Sequence, residues 1–520
     1  MTHIGSILKV GSVSDRRSRS VALIGVVGLL LTACGGSSTP QLTTATFESA
    51  PCPSPNVPGL PQLDLGPEFS CGDLSVPENR SKPDGRKIKV AVARVKAASP
   101  SPKPDPLVYL TGGPGGPGLA AAQVLVNDGI NRDRDVIFVD QRGTLHSDPK
   151  LTCPEIDDFN LKATGTSIQA PSTADADLVA VRACHDRLAA AGYDLSAYNT
   201  TENAADIADL RTALHINQWN VYGVSYGSDL ALQLLRDHPD GIRSVVVDSL
   251  LPPQTNFITE GWPAAAEGFR ALFDACAAQP GCAAAYPNLS DEFTSTVARL
   301  AKQPLTVGIP AANGQPPRRV VIDGYTLANV VVQASLAPGK FAALPKTIHS
   351  IASGDGAAAA ADVVGGLTPP GIVAYGLTYG VFCREHAAFA NPAIAAATAQ
   401  QALPEFPPDV LGLIPQAPRL FGECDLWDVG HADDAVHQPA RSGVPVLLLN
   451  GTLDAVTPPS QADEAAATLP HARVVRFRGL GHDVLPTSDC ARQIVAEFLN
   501  RPDNFDTRCA DAMQPPTFVG

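Results

Sequence analysis

The sequence predicts an α/β fold with a mostly parallel central sheet and a large, mainly helical insertion. Short apolar runs rich in Val, Ile and Leu have the length and composition of strands that are buried on both faces. These runs lie at 107–110, 136–139, 220–224, 244–247, 446–449 and 473–477. Helical patterns separate several of them, and alternation of strands with helices favours a parallel sheet that is covered by helices.

The remaining elements follow in chain order. Alternating polar and apolar residues at 87–97 predict a strand near the edge of the sheet. Asn199, with Glu202 three residues later, predicts the start of a helix, because an Asn side chain accepts from the first free amides. Residues 252–440 are rich in Ala and Pro and poor in strand signals, which predicts a helical cap between two parts of the core, 51–251 and 441–520.

Length and composition describe a folded, soluble protein. The chain has 520 residues, enough for one large domain with an insertion or for two domains. Hydrophobic residues make up 44% and charged residues 17% of it. The net charge is −14 and no basic run follows the first twenty positions, so the phosphate-neutralising surface of a nucleic-acid-binding protein is missing.

The N-terminus has the pattern of an export signal over residues 1–33. Three arginines within residues 16–19 precede an apolar run of 13 residues, Val21–Ala33. Roughly 20 apolar residues are needed to span a bilayer, so the run is too short for a transmembrane anchor. The run ends at Cys34, as in the lipobox of bacterial lipoproteins, which predicts a lipid on Cys34 and a flexible tether over 34–50. The expected location is the outer face of the cell membrane, held by that lipid alone, and plain secretion is the alternative.

The other ten cysteines are even in number, as expected for disulfides in an exported chain. They are Cys52, Cys71, Cys153, Cys184, Cys276, Cys282, Cys383, Cys424, Cys490 and Cys509. The sequence leaves their connectivity open, although pairing neighbours along the chain closes five short loops. The spacings Cys-x-x-Cys and His-x-x-x-His do not occur, which favours structural disulfides over a metal site.

The candidate nucleophile is Ser225, in the stretch Gly-Val-Ser-Tyr-Gly at 223–227. A predicted strand precedes it and a helical pattern follows it. Serine in such a strand-to-helix turn has a strained backbone that exposes its hydroxyl above the sheet, and small flanking residues allow that turn. An ordinary glycine turn is the alternative, and the strand and helix on either side favour the nucleophile.

Serine is a weak nucleophile and needs a base that is oriented by an acid. Asp454 follows one predicted strand, and His482 lies in a glycine-flanked loop after the next. The carboxyl ends of parallel strands share one edge of a sheet, so both residues are expected near Ser225. Asp248 also ends a predicted strand and is the rival acid. The order Ser, Asp, His, together with a position closer to His482 in the sequence, favours Asp454.

Acyl transfer through serine also needs backbone N–H groups that stabilise the oxyanion. Tyr226, directly after the nucleophile, is expected to supply one. The glycine-rich stretch Thr111–Gly118 follows a predicted strand and is expected to supply another, because glycine lets the backbone approach a substrate closely. It lacks the Lys-Ser/Thr that follows a phosphate-binding loop, which excludes that alternative.

Five segments carry a resemblance to a known family. In chain order they read GGPGG, VDQRG, GVSYG, GTLDAVTP and GLGHD. From about residue 72 to residue 499 the chain resembles the prolyl iminopeptidase and tripeptidyl aminopeptidase branch of the α/β-hydrolases. The resemblance implies an α/β-hydrolase fold with a helical cap, a TAP-like C-terminal region within 441–520, and serine peptidase chemistry at the N-termini of peptides.

The resemblance also implies roles for single residues: Ser225 as nucleophile, Asp454 as acid, His482 as base, and Gly113 with Tyr226 as oxyanion donors. Members of the family anchor the amino group of the substrate with acidic residues of the cap. Glu385 is the candidate here, next to Cys383. A solvated glutamate on the cap is the alternative. No cofactor and no metal are implied.

Three functions remain open from the sequence. The first is a peptidase that acts at peptide N-termini. The second is an esterase or lipase that uses the same triad on envelope lipids or acylated small molecules, because fold and triad do not determine the acyl group. The third is a binding lipoprotein without catalysis, which the complete set of residues disfavours. The expected partner is a peptide or ester substrate, without nucleic acid, and the oligomeric state stays open.

Overall fold

A computed structural model describes residues 45–54, 57, 65–311 and 317–520. The strands within these residues are β1 (Thr46–Ala50), β2 (Phe69–Pro77), β3 (Lys87–Val95), β4 (Leu107–Leu110), β5 (Val136–Val139), β6 (Trp219–Val224), β7 (Ile242–Asp248), β8 (Leu305–Ile309), β9 (Arg318–Ile322), β10 (Val446–Gly451) and β11 (Ala472–Phe477). The predicted signal over 1–33 and the predicted lipid site at Cys34 lie outside the described residues.

The helices are α1 (Ala122–Asn127), α2 (Pro154–Ala163), α3 (Pro171–Ala190), α4 (Thr200–Ala213), α5 (Tyr226–Asp237), α6 (Phe257–Ala277), α7 (Pro280–Ala285), α8 (Leu289–Lys302), α9 (Gly324–Ala334), α10 (Leu344–Ala352), α11 (Ala357–Gly365), α12 (Tyr375–Val381), α13 (Pro392–Ala402), α14 (Pro408–Leu411), α15 (Leu420–Trp427), α16 (Pro459–Ala466), α17 (Asp489–Asn500) and α18 (Arg508–Asp511).

One large sheet organises the described part of the chain. Its nine strands lie in the order β1-β2-β3-β5-β4-β6-β7-β10-β11. The pairs from β1 to β5 are antiparallel, and those from β5 to β11 are parallel. The six apolar runs in the sequence are the six strands of the parallel part, so the predicted α/β class with a mostly parallel sheet is confirmed.

The parallel strands are apolar throughout because both faces of the sheet are covered. All four residues of β4 are buried: Val108 and Leu110 pack into one core, and Leu107 and Tyr109 pack into the core on the opposite face. Successive side chains of a strand point to opposite faces, so a strand between two cores needs apolar residues at every position.

Two sequence-based expectations differ from the structure at the antiparallel end of the sheet. The predicted tether includes residues 46–50, which instead form β1 and pair with β2. The strand predicted near the edge is β3, which lies third from the edge because β1 and β2 cover it. Both differences arise because pairing with β2 depends on chain segments that the local sequence pattern does not reveal.

Helix α4 begins as predicted at Asn199, whose side chain accepts from the amide of Glu202 at 2.9 Å. The carboxylate of Glu202 does not return to the cap, because it pairs with Arg80 at 2.6 Å.

The chain between β7 and β10 builds most of a second hydrophobic core, with residues of α6 to α11, α13 and α14. Aromatic side chains fill it, and the rings of Phe269 and Phe293 lie 5.1 Å apart, with Trp262 and Phe406 beside them. This segment corresponds to the predicted cap and is mainly helical. It also contains the antiparallel pair of β8 and β9, which the sequence did not reveal.

Ten cysteines lie in five bonded pairs within the described residues. The pairs are Cys52–Cys71, Cys153–Cys184, Cys276–Cys282, Cys383–Cys424 and Cys490–Cys509. Each joins neighbours along the chain. Disulfides persist in oxidising compartments, so these pairs favour an exported protein.

Across the residues described, no helix is both long and apolar enough to cross a membrane.

Candidate active site

Ser225 lies in a sharp turn between β6 and α5 at the carboxyl edge of the sheet. Its backbone has φ 56° and ψ −128°, a conformation that few non-glycine residues adopt. The flanking glycines make the turn possible. A Cβ on Gly223 would lie 2.1 Å from the carbonyl oxygen of Gly227, and one on Gly227 would lie 2.1 Å from that of Leu110. The predicted strand-turn-helix setting of Ser225 is therefore present, and its side chain is partly exposed.

Asp454 and His482 are hydrogen-bonded in the loops after β10 and β11. The Nδ1 atom of His482 lies 2.8 Å from Oδ2 of Asp454. The carboxylate is fully buried and also accepts from the amides of Val456 and Thr457 and from the Thr457 hydroxyl, at 2.8 to 3.0 Å. Four donors hold the carboxylate in one orientation, so it fixes the imidazole with Nδ1 protonated and Nε2 as the acceptor.

The surroundings of His482 favour its charged form. Burial opposes that charge, but the carboxylates of Asp454, Asp483 and Asp248 outweigh burial and raise the pKa of His482 above its ordinary value. Burial and the neighbouring Asp248 also raise the pKa of Asp483 to about 7. The imidazolium that forms when a histidine takes a proton from serine is thus stabilised at this position.

We expect kcat/KM to decline at acidic pH with a midpoint above 6.5, the ordinary pKa of histidine. A base must be neutral to take the serine proton, and His482 remains charged up to its raised pKa. The measurement is kcat/KM against pH. In Asp483→Asn the decline should persist with a lower midpoint, because one neighbouring carboxylate is lost while His482 still titrates. A wild-type midpoint below 6.5 would contradict this assignment of the base.

Asp248, the rival acid, does not bond to the ring of His482. Its carboxylate accepts from the Tyr222 hydroxyl at 2.7 Å and from the amides of Val484 and Leu485 at 3.1 and 3.0 Å. Its carbonyl oxygen accepts from the amide of Ser225 at 3.0 Å. Asp248 therefore ties the turn of Ser225 to the loop of His482, which brings these two parts of the site together at one edge of the sheet.

The glycine-rich stretch after β4 lies against Ser225. A Cβ on Gly112 would be 2.6 Å from Cβ of Ser225, so only glycine fits there. Gly113, the predicted oxyanion donor, is the next residue and has φ 124°. Tyr226, the other predicted donor, is the first residue of α5, where a backbone amide has no acceptor within its helix.

The VDQRG segment holds both ends of this glycine-rich stretch. The side-chain amide of Gln141 donates to the Thr111 carbonyl at 2.9 Å, and the Asp140 carboxylate accepts from the Leu119 amide at 2.8 Å. The cap holds its middle, because Thr378 donates to the Pro114 carbonyl at 2.7 Å. The predicted oxyanion loop is therefore fixed from two sides.

Glu385, the predicted anchor for a substrate amine, is only 1% exposed. One carboxylate oxygen accepts from the Thr200 amide at 2.7 Å and the other from the Thr200 hydroxyl at 2.5 Å. Burial raises the pKa of Glu385 to about 8. The carboxyl group is shielded from solvent and both of its oxygens are already hydrogen-bonded to Thr200, so its position gives no support to the amine-anchoring role.

Sequence reasoning missed three residues that shape the site. Gly112 and Thr457 lie within the segments that were recognised, so their chain positions beside Gly113 and Asp454 offered a signal. Ser335 gave none. It follows α9 in the cap, far from any recognised segment, yet its carbonyl oxygen accepts from the amide of His482 at 2.8 Å.

Comparison with known proteins agrees with this arrangement. Residues 105–319 match the family described as alpha/beta hydrolase fold, and residues 416–509 match the TAP-like protein family. The first match contains β4 to β8, with the Ser225 turn, and the second contains β10 and β11, with the loops of Asp454 and His482.

Several curated proteins are similar to parts of the chain. A tripeptidyl aminopeptidase of Streptomyces lividans is 31% identical over 207 residues, 38% of each chain. The serine protease Hip1 of Mycobacterium tuberculosis is 28% identical over 288 residues, 50% of this chain and 52% of that protein. The putative hydrolase YuaR of Escherichia coli is 26% identical over 262 residues, 46% of this chain and 49% of that protein.

These matches span about two fifths to one half of the length of the curated relatives. The sheet topology, the serine turn and the two family matches nevertheless agree with one another: the chain has the α/β-hydrolase fold and is similar to tripeptidyl aminopeptidase-like proteins.

Proposed function

We propose that the protein is an exported serine peptidase that releases residues from the free N-termini of peptides. The observation that carries the hydrolase chemistry is the buried hydrogen bond between His482 and Asp454 at the sheet edge that also holds the strained turn of Ser225. The peptidase activity is supported by the names of two relatives, a tripeptidyl aminopeptidase and a serine protease.

In the proposed reaction, Oγ of Ser225 attacks the carbonyl carbon of the scissile peptide bond while Nε2 of His482 takes the hydroxyl proton. The carbonyl oxygen becomes an oxyanion and accepts from the amides of Tyr226 and Gly113. The C–N bond then breaks and the leaving amine receives the proton from His482. Water attacks the resulting ester by the same route and frees Ser225, so the net reaction consumes one water for each bond cleaved.

Export and a lipid on Cys34 are part of the proposal. The disulfide pairs are typical of proteins outside the cytosol. The arginines, the short apolar run and the cysteine that follows it have the order found in lipoprotein signals. Mass analysis of the membrane fraction would detect a mature chain that begins at a lipid-modified Cys34, and an unmodified chain in the medium would contradict the anchor.

An esterase with the same triad is the second candidate function. The burial of Glu385 favours it, because the residue expected to select a substrate amine is already bonded to Thr200. An ester substrate without an amino group needs no such anchor.

A comparison of three substrates separates the two functions. They are a tripeptide anilide with a free amine, the same anilide with an acetylated amine, and a short-chain acyl ester of p-nitrophenol. We expect the free tripeptide to have the highest kcat/KM and acetylation to lower it about 10- to 100-fold, the worth of one charged hydrogen bond. Equal rates for both anilides would exclude amine selection, and turnover of the ester alone would favour the esterase.

A further inference from the structure

Ser335 lies where the cap meets the loops of the proposed acid and base. Its carbonyl oxygen accepts from the amide of His482 at 2.8 Å. Its hydroxyl accepts from the amide of Ala455, directly after Asp454, at 3.0 Å, and donates to the Val332 carbonyl at 2.6 Å. The side chain is fully buried. A single residue of the cap therefore binds both catalytic loops.

Close packing keeps the loop after β11, which carries His482 and is called the base loop, against this part of the cap. A Cβ on Gly481, the residue before His482, would lie 2.4 Å from the carbonyl oxygen of Ser335 and 2.9 Å from the ring of Phe341. Phe341 is buried in the hydrophobic core of the cap. The base loop approaches the cap at backbone distance, which only glycine at position 481 allows.

The loop after β10, which carries Asp454 and is called the acid loop, packs against the same core. Leu453 and Ala455, on either side of Asp454, belong to the hydrophobic cluster of the cap. A Cβ on Gly268 of α6 would lie 2.4 Å from Cβ of Ala455. The position of Asp454 is therefore determined by contacts with the cap as well as by its place after β10.

We propose that Ser335 is a positioning residue that holds Asp454 and His482 at the distance that their hydrogen bond needs. The packing of the cap against the two loops then determines how readily His482 accepts a proton. This inference rests on the proposed roles of Ser225, Asp454 and His482. If the Ser335 hydroxyl is removed, the amide of Ala455 loses its buried acceptor. The loop that carries Asp454 is then free to move away from the imidazole.

The expected result is a change in the acidic limb of the curve that relates the reactivity of Ser225 to pH. The charged groups that face His482 are Asp454, Asp483 and Asp248, and their attraction for a proton on the ring outweighs burial. A longer contact with Asp454 weakens that attraction. The midpoint of the limb then moves to lower pH, while the maximal rate falls because the imidazole is less well oriented.

The test measures the rate at which a fluorophosphonate probe labels Ser225, as a function of pH, so it does not depend on the natural substrate. In Ser335→Ala we expect the maximal rate to fall about 10-fold and the midpoint to drop by about half a unit or more. Ser335→Thr keeps the hydroxyl and should keep the wild-type midpoint. Phe341→Leu loosens the packing of Gly481 against the cap and leaves every amide with its acceptor. It should therefore shift the midpoint in the same direction.

Ser244→Ala is the matched control. Ser244 is also fully buried, and its hydroxyl donates to the Asn220 side chain at 2.7 Å near the amino ends of β6 and β7, opposite the site. Its loss should lower stability and leave the midpoint unchanged. If the midpoint moves equally in Ser244→Ala, or stays at the wild-type value in Ser335→Ala and Phe341→Leu, the inference is wrong. Wild-type protein that is not labelled at Ser225 would overturn the proposed function as well.

Discussion

We expect Ser225→Ala to lower kcat on the order of 10⁶-fold for whichever substrate class the wild type hydrolyses, and to abolish labelling by a fluorophosphonate. The hydroxyl is the only proposed nucleophile, and without it no acyl-enzyme forms, so only the slower direct attack by water remains. The measurement is the single-turnover rate together with mass analysis of the labelled peptide.

Ser228→Ala serves as the comparison for this variant. The hydroxyl of Ser228 bonds to the Ser225 carbonyl and is buried in α5, so it faces away from a substrate. The Ser228 variant should still be labelled at Ser225. Full activity in Ser225→Ala, or label on another serine, would refute the assignment of the nucleophile.

Asp454→Asn is expected to lower kcat about 10⁴-fold at neutral pH. The carboxylate has four donors around it and keeps Nδ1 of His482 protonated. An amide at this position presents N–H groups to the imidazole and favours the tautomer in which Nε2 already carries a proton and cannot accept one from Ser225. The measurement is kcat, with thermal unfolding to establish that the variant is folded.

Asp248→Asn separates the two candidate acids. Its carboxylate holds the Tyr222 hydroxyl and two amides of the His482 loop, but not the imidazole. We expect a much smaller loss of kcat and a clear loss of stability. A loss of kcat as large as in Asp454→Asn, in a variant that remains folded, would identify Asp248 as the acid instead.

Local sequence patterns predicted the parallel part of the sheet because its strands are buried on both faces, which requires unbroken apolar runs. They failed at 46–50, where a polar-looking segment becomes β1 by pairing with β2. The β8–β9 pair was missed because β8 alternates half-buried and exposed residues, and because the apolar run that ends β9 has only three residues, 320–322.

Some features of the candidate site could likewise be predicted from the sequence, and others could not. Glycines around Ser225 and the order of serine, acid and histidine can be read from the chain, because close backbone approach and strand-end loops leave recognisable residues. The role of Glu385 could not be read, since its partner Thr200 is 185 positions away. The choice between Asp454 and Asp248 also needed distances, because both follow strands at the same edge.

The sequence alone determined the fold class, the six parallel strands and the set of residues from which a serine hydrolase site can be built. Only the tertiary structure decided which acid bonds to His482, that Glu385 is buried, and that Ser335 of the cap holds both catalytic loops. The physical reason is that strand burial and tight turns constrain residue type locally. Hydrogen bonds between segments far apart in the chain, such as those of Ser335, leave no pattern in the sequence around either partner.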